Sequence, residues 1–384
     1  MQAETALGIP QAVKYALALY FIATLFYLLF KRTQKPSYYG FMIVPAVIFS
    51  LYSLWLVGQT FRLDIRYFQF LLAAKFYVMP FFFPVLLLFI KFDMRFVKYV
   101  MHFSLKFIPW LLLVMLTVLA GLNMDVWEEH LYRLHIFNFA LPLVLLNIHY
   151  LSGKSRQRTL LIIYFLGLIA IGSYYGRRGY VLDMMFMFVF YFILTSLNRI
   201  VSLAKKVRLF VIIALMVFAF FMTFSILKNN LYIFERGLDS DAWDETRGAV
   251  FTDFFADFGT ASGDWLWGRG LEGKVLRTMD TENGGYGDTI ENGYLFTLLK
   301  AGGLYLGLMV LMFLRAAYLG WFRSKNQFSK SLAALIFIHL IVMIQFNLPV
   351  FSSEYVMIWI CVVMAYSKDI RKLDDKQVKL ILNL

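Results

Sequence analysis

The chain has 384 residues, of which 61% are hydrophobic, 19% aromatic and only 16% charged, and its mean hydropathy is +0.68. A soluble globular domain of this length does not need so large an apolar surface, so the composition predicts that lipid is the solvent for most of the chain. The one cysteine, Cys361, excludes an internal disulfide, a cysteine-rich zinc site and an iron–sulfur cluster.

Apolar runs long enough to cross a bilayer as helices, which takes about 20 residues, recur along the chain. The first run ends at Lys31–Arg32 without a small-residue cleavage site, so we expect a span there and not a cleaved signal peptide. The predicted spans are 11–30, 39–57, 67–90, 107–122, 135–151, 159–176, 180–197, 209–227, 291–314, 331–346 and 353–367. The expected fold class is all-α: a polytopic integral membrane helical bundle of about eleven spans, or about twelve with an additional or re-entrant first segment.

Basic residues are concentrated in alternate loops between these spans. The basic loops are 31–35, 91–106, 154–158, 199–208, 315–330 and 368–379. Because Lys and Arg accumulate on the cytoplasmic side of short loops, all six should face the cytoplasm. The formal net charge of +13 is therefore mainly a topology signal, and we expect no nucleic-acid partner.

One loop on the opposite side is much longer than a connection requires. It follows the eighth predicted span and divides the chain into residues 1–227 with spans one to eight, the extracytoplasmic loop 228–290, and residues 291–384 with the last three spans and a cytoplasmic tail. Loops of this length are usually functional.

An amphipathic helix is predicted within this loop. It would be capped by Ser240 or Asp241 and would end at Gly259. Arg247 shares one predicted face with an aromatic stripe formed by Phe251, Phe254 and Phe258. We expect this face to lie on the membrane surface, and the remainder of the loop, 261–288, to be irregular.

Ionisable residues inside the spans gather on the extracytoplasmic side. Such side chains are costly in lipid and usually functional. Lys75, Asp183 and Lys300 fall in the outer halves of their spans, Arg177 and Arg178 form the turn between spans six and seven, Arg62 and Arg66 precede span three, and Glu291 opens span nine. Together they predict a basic cavity at the outer leaflet, which suits the phosphate or diphosphate of a lipid-linked substrate.

Structural roles compete with this interpretation. Arg177 and Arg178 can extend their charges to the membrane interface, and Lys75 or Lys300 can do the same or pair with Asp183. No histidine pair shows metal-ligand spacing, so no metal and no cofactor are expected.

Three stretches, in this order along the chain, resemble motifs of the O-antigen ligase and polymerase superfamily of bacterial envelope glycosyltransferases. Residues 172–179 (GSYYGRRG) resemble its arginine-bearing turn, Thr246–Arg247 with 265–270 (WLWGRG) its loop arginine and G-x-G segment, and 291–296 (ENGYLF) with 302–307 (GGLYLG) its entry into the next helix. The likeness covers roughly residues 160–315.

The resemblance implies a bundle similar to the GT-C class, in the bacterial cytoplasmic (inner) membrane, with its active site facing the periplasm. Members transfer a glycan from an undecaprenyl-diphosphate carrier to a hydroxyl of a lipid-linked acceptor, without metal or nucleotide. It implies that Arg178 and Arg247 stabilise the leaving diphosphate and that Glu291 accepts or orients the acceptor proton. Expected substrate-binding residues are Arg177, Lys75, Arg62, Arg66, Asn292, Tyr294 and Lys300. Expected partners are the undecaprenyl-diphosphate-linked glycan donor and acceptor, the lipid bilayer, and the chain-length regulator and flippase of the same pathway.

Glu291 stands where ligases of the superfamily carry a histidine, which favours an O-antigen or surface polysaccharide polymerase. A ligase that transfers glycan to lipid A core or protein remains an alternative. If Glu291 is not the base, His130 or His135 is the next choice. A transporter is the third class, but it should show a second, inner set of intramembrane polar groups or helices interrupted at the midplane, and the sequence shows no such inner set.

Overall fold

The structure is a computed structural model that describes residues 20, 23–28, 30–31, 40–60, 77–120, 140–151, 155–174, 178–197, 204, 207, 249–258, 262–276, 285–345 and 349–382. Of the described residues, 83% are helical. The predicted all-α class is therefore confirmed for this part of the chain. The predicted span 209–227 lies outside it, as does most of 11–30.

The helices and the two strands occur in the following order. In chain order they are α1 (Ile43–Gln59), α2 (Val78–Leu88), α3 (Met94–Ala120), α4 (Leu141–Leu146), a 3₁₀ turn (Ile148–Tyr150), α5 (Ser155–Tyr174), α6 (Arg178–Leu197), α7 (Ala249–Phe258), α8 (Ser262–Trp267), β1 (Val275–Leu276), β2 (Tyr286–Gly287), α9 (Gly293–Phe322), α10 (Gln327–Val342), α11 (Ser353–Tyr366), α12 (Lys368–Lys372) and α13 (Asp375–Leu382). The two strands are antiparallel, with Val275 opposite Gly287 and Leu276 opposite Tyr286.

Within the described ranges, three helices are long and apolar enough to cross a membrane. They are Gly40–Gln59, which includes α1, Met94–Leu116 of α3, and α9. Shorter apolar helices are α2, most of α6, α10 and α11. A helix rises about 1.5 Å per residue, so the 30 residues of α9 extend farther than the hydrocarbon core of a bilayer is thick. These helices indicate a membrane protein.

Three predicted spans differ from the observed helices. The helix α9 continues to Phe322, beyond the predicted end at residue 314. The helix α3 begins at Met94, more than three turns before the predicted residue 107, because buried Val97, Met101 and Leu105 alternate with exposed polar residues on an amphipathic surface. The predicted span 135–151 contains only the six-residue α4 and a 3₁₀ turn in its described part. It breaks at Asn147, whose amide donates to the carbonyl of Leu143 at 2.8 Å and so competes with the helix backbone.

The long helix α9 is the centre of the core and packs against α1, α8, α10 and α11. Aromatic side chains join these helices: the ring centroids of Phe49 and Tyr305 are 4.6 Å apart, and those of Phe313 and Trp359 are 4.8 Å apart. Phe81 of α2 completes the cluster at 5.3 Å from Tyr305. All five side chains are fully buried, so α1, α2, α9 and α11 share one apolar interior.

Loops that the sequence predicts on the cytoplasmic side contact one another. The amide of Lys325 donates to the carbonyl of Arg371 at 2.9 Å, and Asn326 donates to the carbonyl of Ile370 at 2.8 Å. Tyr150 donates to Asp375, which also accepts the amide of Gln327 at 2.7 Å. The segments after α4, between α9 and α10, and after α11 therefore meet at one end of the bundle.

Candidate functional site

The N-terminus of α9 carries Glu291, whose side chain is exposed, directly before the cap residue Asn292. The side-chain oxygen of Asn292 accepts the amides of Tyr294 and Leu295, each at 3.0 Å. Its nitrogen donates to the carbonyl of Ile344 in the turn after α10. These bonds fix the start of the helix, and with it the position of the Glu291 backbone.

Two further bonds tie this start to α10. The amide of Gly293 donates to the carbonyl of Met343 at 2.8 Å, and the Tyr294 hydroxyl donates to the carbonyl of Leu340 at 2.7 Å. The hydrogen bonds observed for Asn292 and Tyr294, both predicted to bind substrate, are thus made within the protein.

The helix α9 is interrupted at Gly302, where φ is +70° and ψ is 175°. The loop predicted to be extracytoplasmic contacts the interruption so closely that a Cβ atom on Gly302 would lie 2.5 Å from the amide nitrogen of Gly268 and would also collide with the carbonyl oxygen of Leu266. Gly268 has a φ of +73° and faces the same contact. Two glycines, one in the loop and one in the helix, therefore allow the two backbones to touch.

The interruption leaves backbone carbonyl groups of α9 without their helical hydrogen-bond partners, and two other elements donate hydrogen bonds to them. The amide of Arg269 donates to the carbonyl of Leu299 at 2.7 Å. The hydroxyl of Tyr52 on α1 lies 3.0 Å from the carbonyl of Ala301 and 2.9 Å from that of Trp267. Tyr52 thereby joins α1, the loop and α9 at one point.

Arg269 is held inside the loop by its own neighbours. Its Nε donates to Asp264 at 2.6 Å, and its Nη1 donates to Asp257 at 2.6 Å and to the carbonyl of Lys274 at 2.9 Å. The guanidinium also lies over the ring of Phe258, at 5.2 Å from the centroid. Two carboxylates therefore neutralise this arginine and connect α7, α8 and the strand segment.

Ion pairing changes the acid–base properties of this cluster. The hydrogen bond to Asp257 raises the pKa of Arg269. Partial burial alone would raise the pKa of the Asp257 carboxyl, but the bonds from Arg269 and from the amide of Leu276 hold it below its ordinary value of 3.8. Asp257 therefore stays ionised in mild acid.

Lys300 lies on α9 two residues before the interruption and is fully buried. Its Nζ donates to the carbonyl of Gly273 at 2.9 Å and lies over the rings of Tyr77, at 5.4 Å, and Phe296, at 5.6 Å. The Tyr77 hydroxyl in turn donates to Asp288 at 2.6 Å. Lys300 therefore links α9 to the loop, and Tyr77, directly before α2, is joined to the same loop through Asp288.

The loop helix α7 packs on α9 through the stripe that the sequence predicts to face the membrane. Phe254 and Phe258 are fully buried together with Leu295 and Leu299 of α9, whereas Phe251 is exposed. The membrane-facing prediction is wrong for these two phenylalanines because α9 offers them a protein surface. The prediction that 261–288 is irregular is also wrong in part, since it contains α8, β1 and β2.

A hollow of about 860 Å³ lies beside this unit, between α1 and the loop. It is lined by Ile48, Leu51, Tyr52, Trp55, Gln59, Trp267, Gly268, Arg269 and Gly270. The Tyr52 and Trp267 rings are stacked at 5.8 Å, and Trp55 meets Trp267 edge-on at 5.9 Å. We call it the α1 groove.

Several predicted site residues lie outside the described residues: Arg62, Arg66, Lys75, Arg177 and Arg247. Arg178 is the first residue of α6, and its side chain lies outside the described part of the chain. Asp183 is buried in α6 within electrostatic range of Glu354, and among the described residues no ion pair joins it to Lys300. In the described part of the chain, no three His, Cys, Asp or Glu residues are grouped to hold a metal ion.

Sequence reasoning missed five residues that organise the site: Tyr52, Tyr77, Asp257, Asp264 and Asp288. Some of their partners are distant in sequence, as for Tyr52 and Ala301, which are 249 positions apart. The other partners are nearer in sequence, but no motif marks them. The paired glycines near 268 and 302 were visible as sequence signals, but only the fold shows that they touch.

No protein-family model matches the chain, and neither curated proteins nor solved structures gave a match.

Proposed function

We propose that the chain is a bacterial envelope glycosyltransferase that polymerises lipid-linked repeat units on the extracytoplasmic face of the cytoplasmic membrane. The donor is an undecaprenyl-diphosphate-linked glycan, and the acceptor is a hydroxyl of another lipid-linked unit. The reaction needs neither metal nor nucleotide, and the chain-length regulator and flippase of the pathway are its partners.

One observation carries the proposal: two of the stretches that resemble the superfamily, 265–270 and 291–307, form one structural unit. Gly268 touches Gly302, and the Arg269 amide bonds to Leu299. Unrelated motifs have no reason to pack together, whereas parts of one site do. The unit contains the exposed Glu291 and borders the α1 groove, which lies on a helix apolar and long enough to cross a membrane. The proposal therefore has the lipid-linked substrate approach from the bilayer.

The reaction is a substitution at an anomeric carbon. The acceptor oxygen forms the new bond to that carbon and loses its proton to the Glu291 carboxylate, while the bond to the diphosphate oxygen breaks and undecaprenyl diphosphate leaves with the electron pair. Negative charge grows on the departing oxygen. Fixed guanidinium groups, assigned to Arg178 and Arg247, therefore stabilise the transition state more than the bound substrate.

The helix interruption bears on the transporter alternative, which calls for interrupted helices at the midplane. Gly302 is the tenth of the 30 residues of α9 and stands near the middle of the predicted span 291–314, but the carbonyls at 299 and 301 are bonded to Arg269 and Tyr52. A break filled by protein groups favours a fixed scaffold over a transport gate. The missing histidine at position 291 argues against the ligase.

A gel of surface polysaccharide from a gene-deletion strain tests the proposal. A polymerase predicts loss of the ladder while single repeat units remain attached to the cell surface. A ligase instead predicts loss of all attached glycan, and an unchanged ladder would contradict both enzymes.

Complementation with Glu291→Gln tests the assigned base, because the amide keeps the shape but cannot take a proton. We expect the ladder to be shortened or lost. Asp369→Asn, the same carboxylate-to-amide change on a side chain that is 77% exposed in the predicted cytoplasmic tail, is the control and should restore the ladder. Full restoration by Glu291→Gln at equal protein level would move the role to another residue.

A further inference from the structure

The α1 groove is bounded on one side by a single face of α1. Ile48, Leu51, Tyr52, Trp55 and Gln59 follow each other at spacings of three, one, three and four residues, which is the spacing of one helical surface. From Ile48 to Gln59 this surface extends about 16 Å at 1.5 Å per residue, roughly half of the 30 Å hydrocarbon core. The groove therefore has the length of one membrane leaflet.

The groove is open to the side on which α1 would meet lipid. Leu51 is 63% exposed, and Ile48 and Trp55 are exposed to 43% and 45%. These residues belong to a helix that is apolar and long enough to cross a membrane. The exposed side chains form the floor of the groove, and Trp267 at 46% exposure forms its opposite wall.

The groove offers no uncompensated charge among its lining residues. Arg269 is the one charged residue of the lining, and its guanidinium is bound to both Asp257 and Asp264 at 2.6 Å. The remaining polar groups are the Gln59 amide, the glycine backbone, the indole N–H groups of Trp55 and Trp267, and the Tyr52 hydroxyl, which is bonded to protein carbonyls. Such a surface suits an uncharged hydrocarbon chain and not a phosphate.

The outer end of the groove is continuous with the proposed site. Phe49 of α1 packs on Tyr305 and Tyr52 bonds to the Ala301 carbonyl, so α1 and α9 run antiparallel. The Gln59 end of the groove therefore points toward the start of α9 beside Glu291, while Gly268–Gly270 line the groove near Tyr52. A chain lying along α1 with its head at the outer end would place that head beside this unit.

We propose that the α1 groove binds the isoprenoid chain of the lipid-linked donor or acceptor and admits it sideways from the outer leaflet. This inference rests on the proposed function for the identity of the chain. Trp55 and Trp267 hold the chain by apolar contact near its head, while Ile48 and Leu51 contact the part that lies deeper in the membrane.

Photo-crosslinking in nanodiscs tests the groove directly. The probes are a photoactivatable polyisoprenyl diphosphate without sugar and a phosphatidylglycerol with the same photoactivatable group on an acyl chain. We expect the isoprenoid probe to label residues 48–59 or 265–270 and the phospholipid probe to label them much less.

Leu51→Trp fills the groove with a larger side chain and should lower isoprenoid labelling about tenfold. Leu54→Trp makes the same change at an exposed position of α1 outside the groove, and it should label like the unaltered protein. Equal labelling by the phospholipid probe, or equal loss in both variants, would overturn the proposal.

Surface polysaccharide from the same variants separates this inference from the proposed function. Specific labelling in a protein that makes no polymer supports the groove and contradicts the polymerase. Polymer made at the full rate by Leu51→Trp supports the polymerase and contradicts the groove.

Discussion

Gly302 has a backbone conformation that residues with a Cβ atom do not adopt without strain. Its contact with Gly268 leaves no volume for a side chain, because the neighbouring atoms are backbone and cannot rotate away. The junction of loop and helix therefore depends on glycine at both positions.

Gly302→Ala should lower the free energy of unfolding by at least about 2 kcal/mol, from backbone strain together with the collision. The measurement is thermal unfolding in detergent. Gly307→Ala in the same helix is the control, because a Cβ there meets nothing within 4 Å. If both variants unfold at the same temperature, the observed contact at Gly302 is incorrect.

Individual site residues were nominated from the sequence by charge and position. Glu291, Asn292, Tyr294 and Lys300 do lie in or beside one structural unit, and three of them make hydrogen bonds within the protein. Charge and depth in a span indicate that a residue matters. They do not distinguish a substrate contact from an internal bond, because the distinction depends on partners such as Gly273, which is 27 positions from Lys300.

At the level of elements, Arg269 and Asp257 hold α7, α8 and β1 together. The folded state lowers the pKa of Asp257, so the pair contributes its full stability above the ordinary pKa of 3.8. That contribution disappears as the pH falls through the lower value of the folded state.

Asp257→Asn should therefore lower the melting temperature at pH 6, with a loss of about 1 kcal/mol expected for a pair at the protein surface. The difference from the unaltered protein should begin to shrink as the pH falls below about 4, where Asp257 takes up a proton in the unfolded chain, and should disappear as the pH falls through its lower pKa in the folded protein. Melting curves from pH 3 to 7 measure this, with Asp369→Asn, a change at a side chain that is 77% exposed, as the control. A difference that is constant over this range would contradict the assigned ion pair.

Hydropathy predicted the positions of most described helices but not their ends or interruptions. Periodic apolar residues identify a buried face, as in α9, α10 and α11, and this signal is strong over many turns. The early start of α3 follows an amphipathic pattern that a hydropathy threshold does not detect. The break of α4 at Asn147 and the short α8 depend on local hydrogen bonds and on contacts with other elements. Those contacts carry no periodic signal.

On the scale of the whole molecule, the segments predicted on the cytoplasmic side contact one another. Tyr77 and Tyr52, which lie inside predicted spans, contact Asp288 and the Trp267 carbonyl of the predicted outer loop. Lys325 contacts Arg371 among the predicted cytoplasmic segments. The alternating basic loops were the only topology information in the sequence, and these contacts agree with the two groups of loops that they define.

Cysteine labelling tests the orientation. In a Cys361→Ser background, Tyr286→Cys should react with a membrane-impermeant maleimide in intact spheroplasts, because Tyr286 is exposed in the predicted outer loop. Lys372→Cys, exposed on α12, should react only after the membrane is permeabilised. The reverse pattern would place the proposed site in the cytoplasm.

The central claim is that arginines at the outer leaflet drive transfer from a lipid-linked diphosphate, and polymerisation by the purified protein tests it most directly. Nanodiscs containing the chain are supplied with the lipid-linked repeat unit extracted from the deletion strain, and product length is followed over time. We predict a ladder from the unaltered protein. For Arg178→Ala and Arg247→Ala, the rate of polymerisation should fall by about 100-fold or more. Arg323→Ala, at the predicted cytoplasmic side, should leave the rate unchanged. Unchanged rates in both outer arginine variants, at equal amounts of folded protein, would contradict the account.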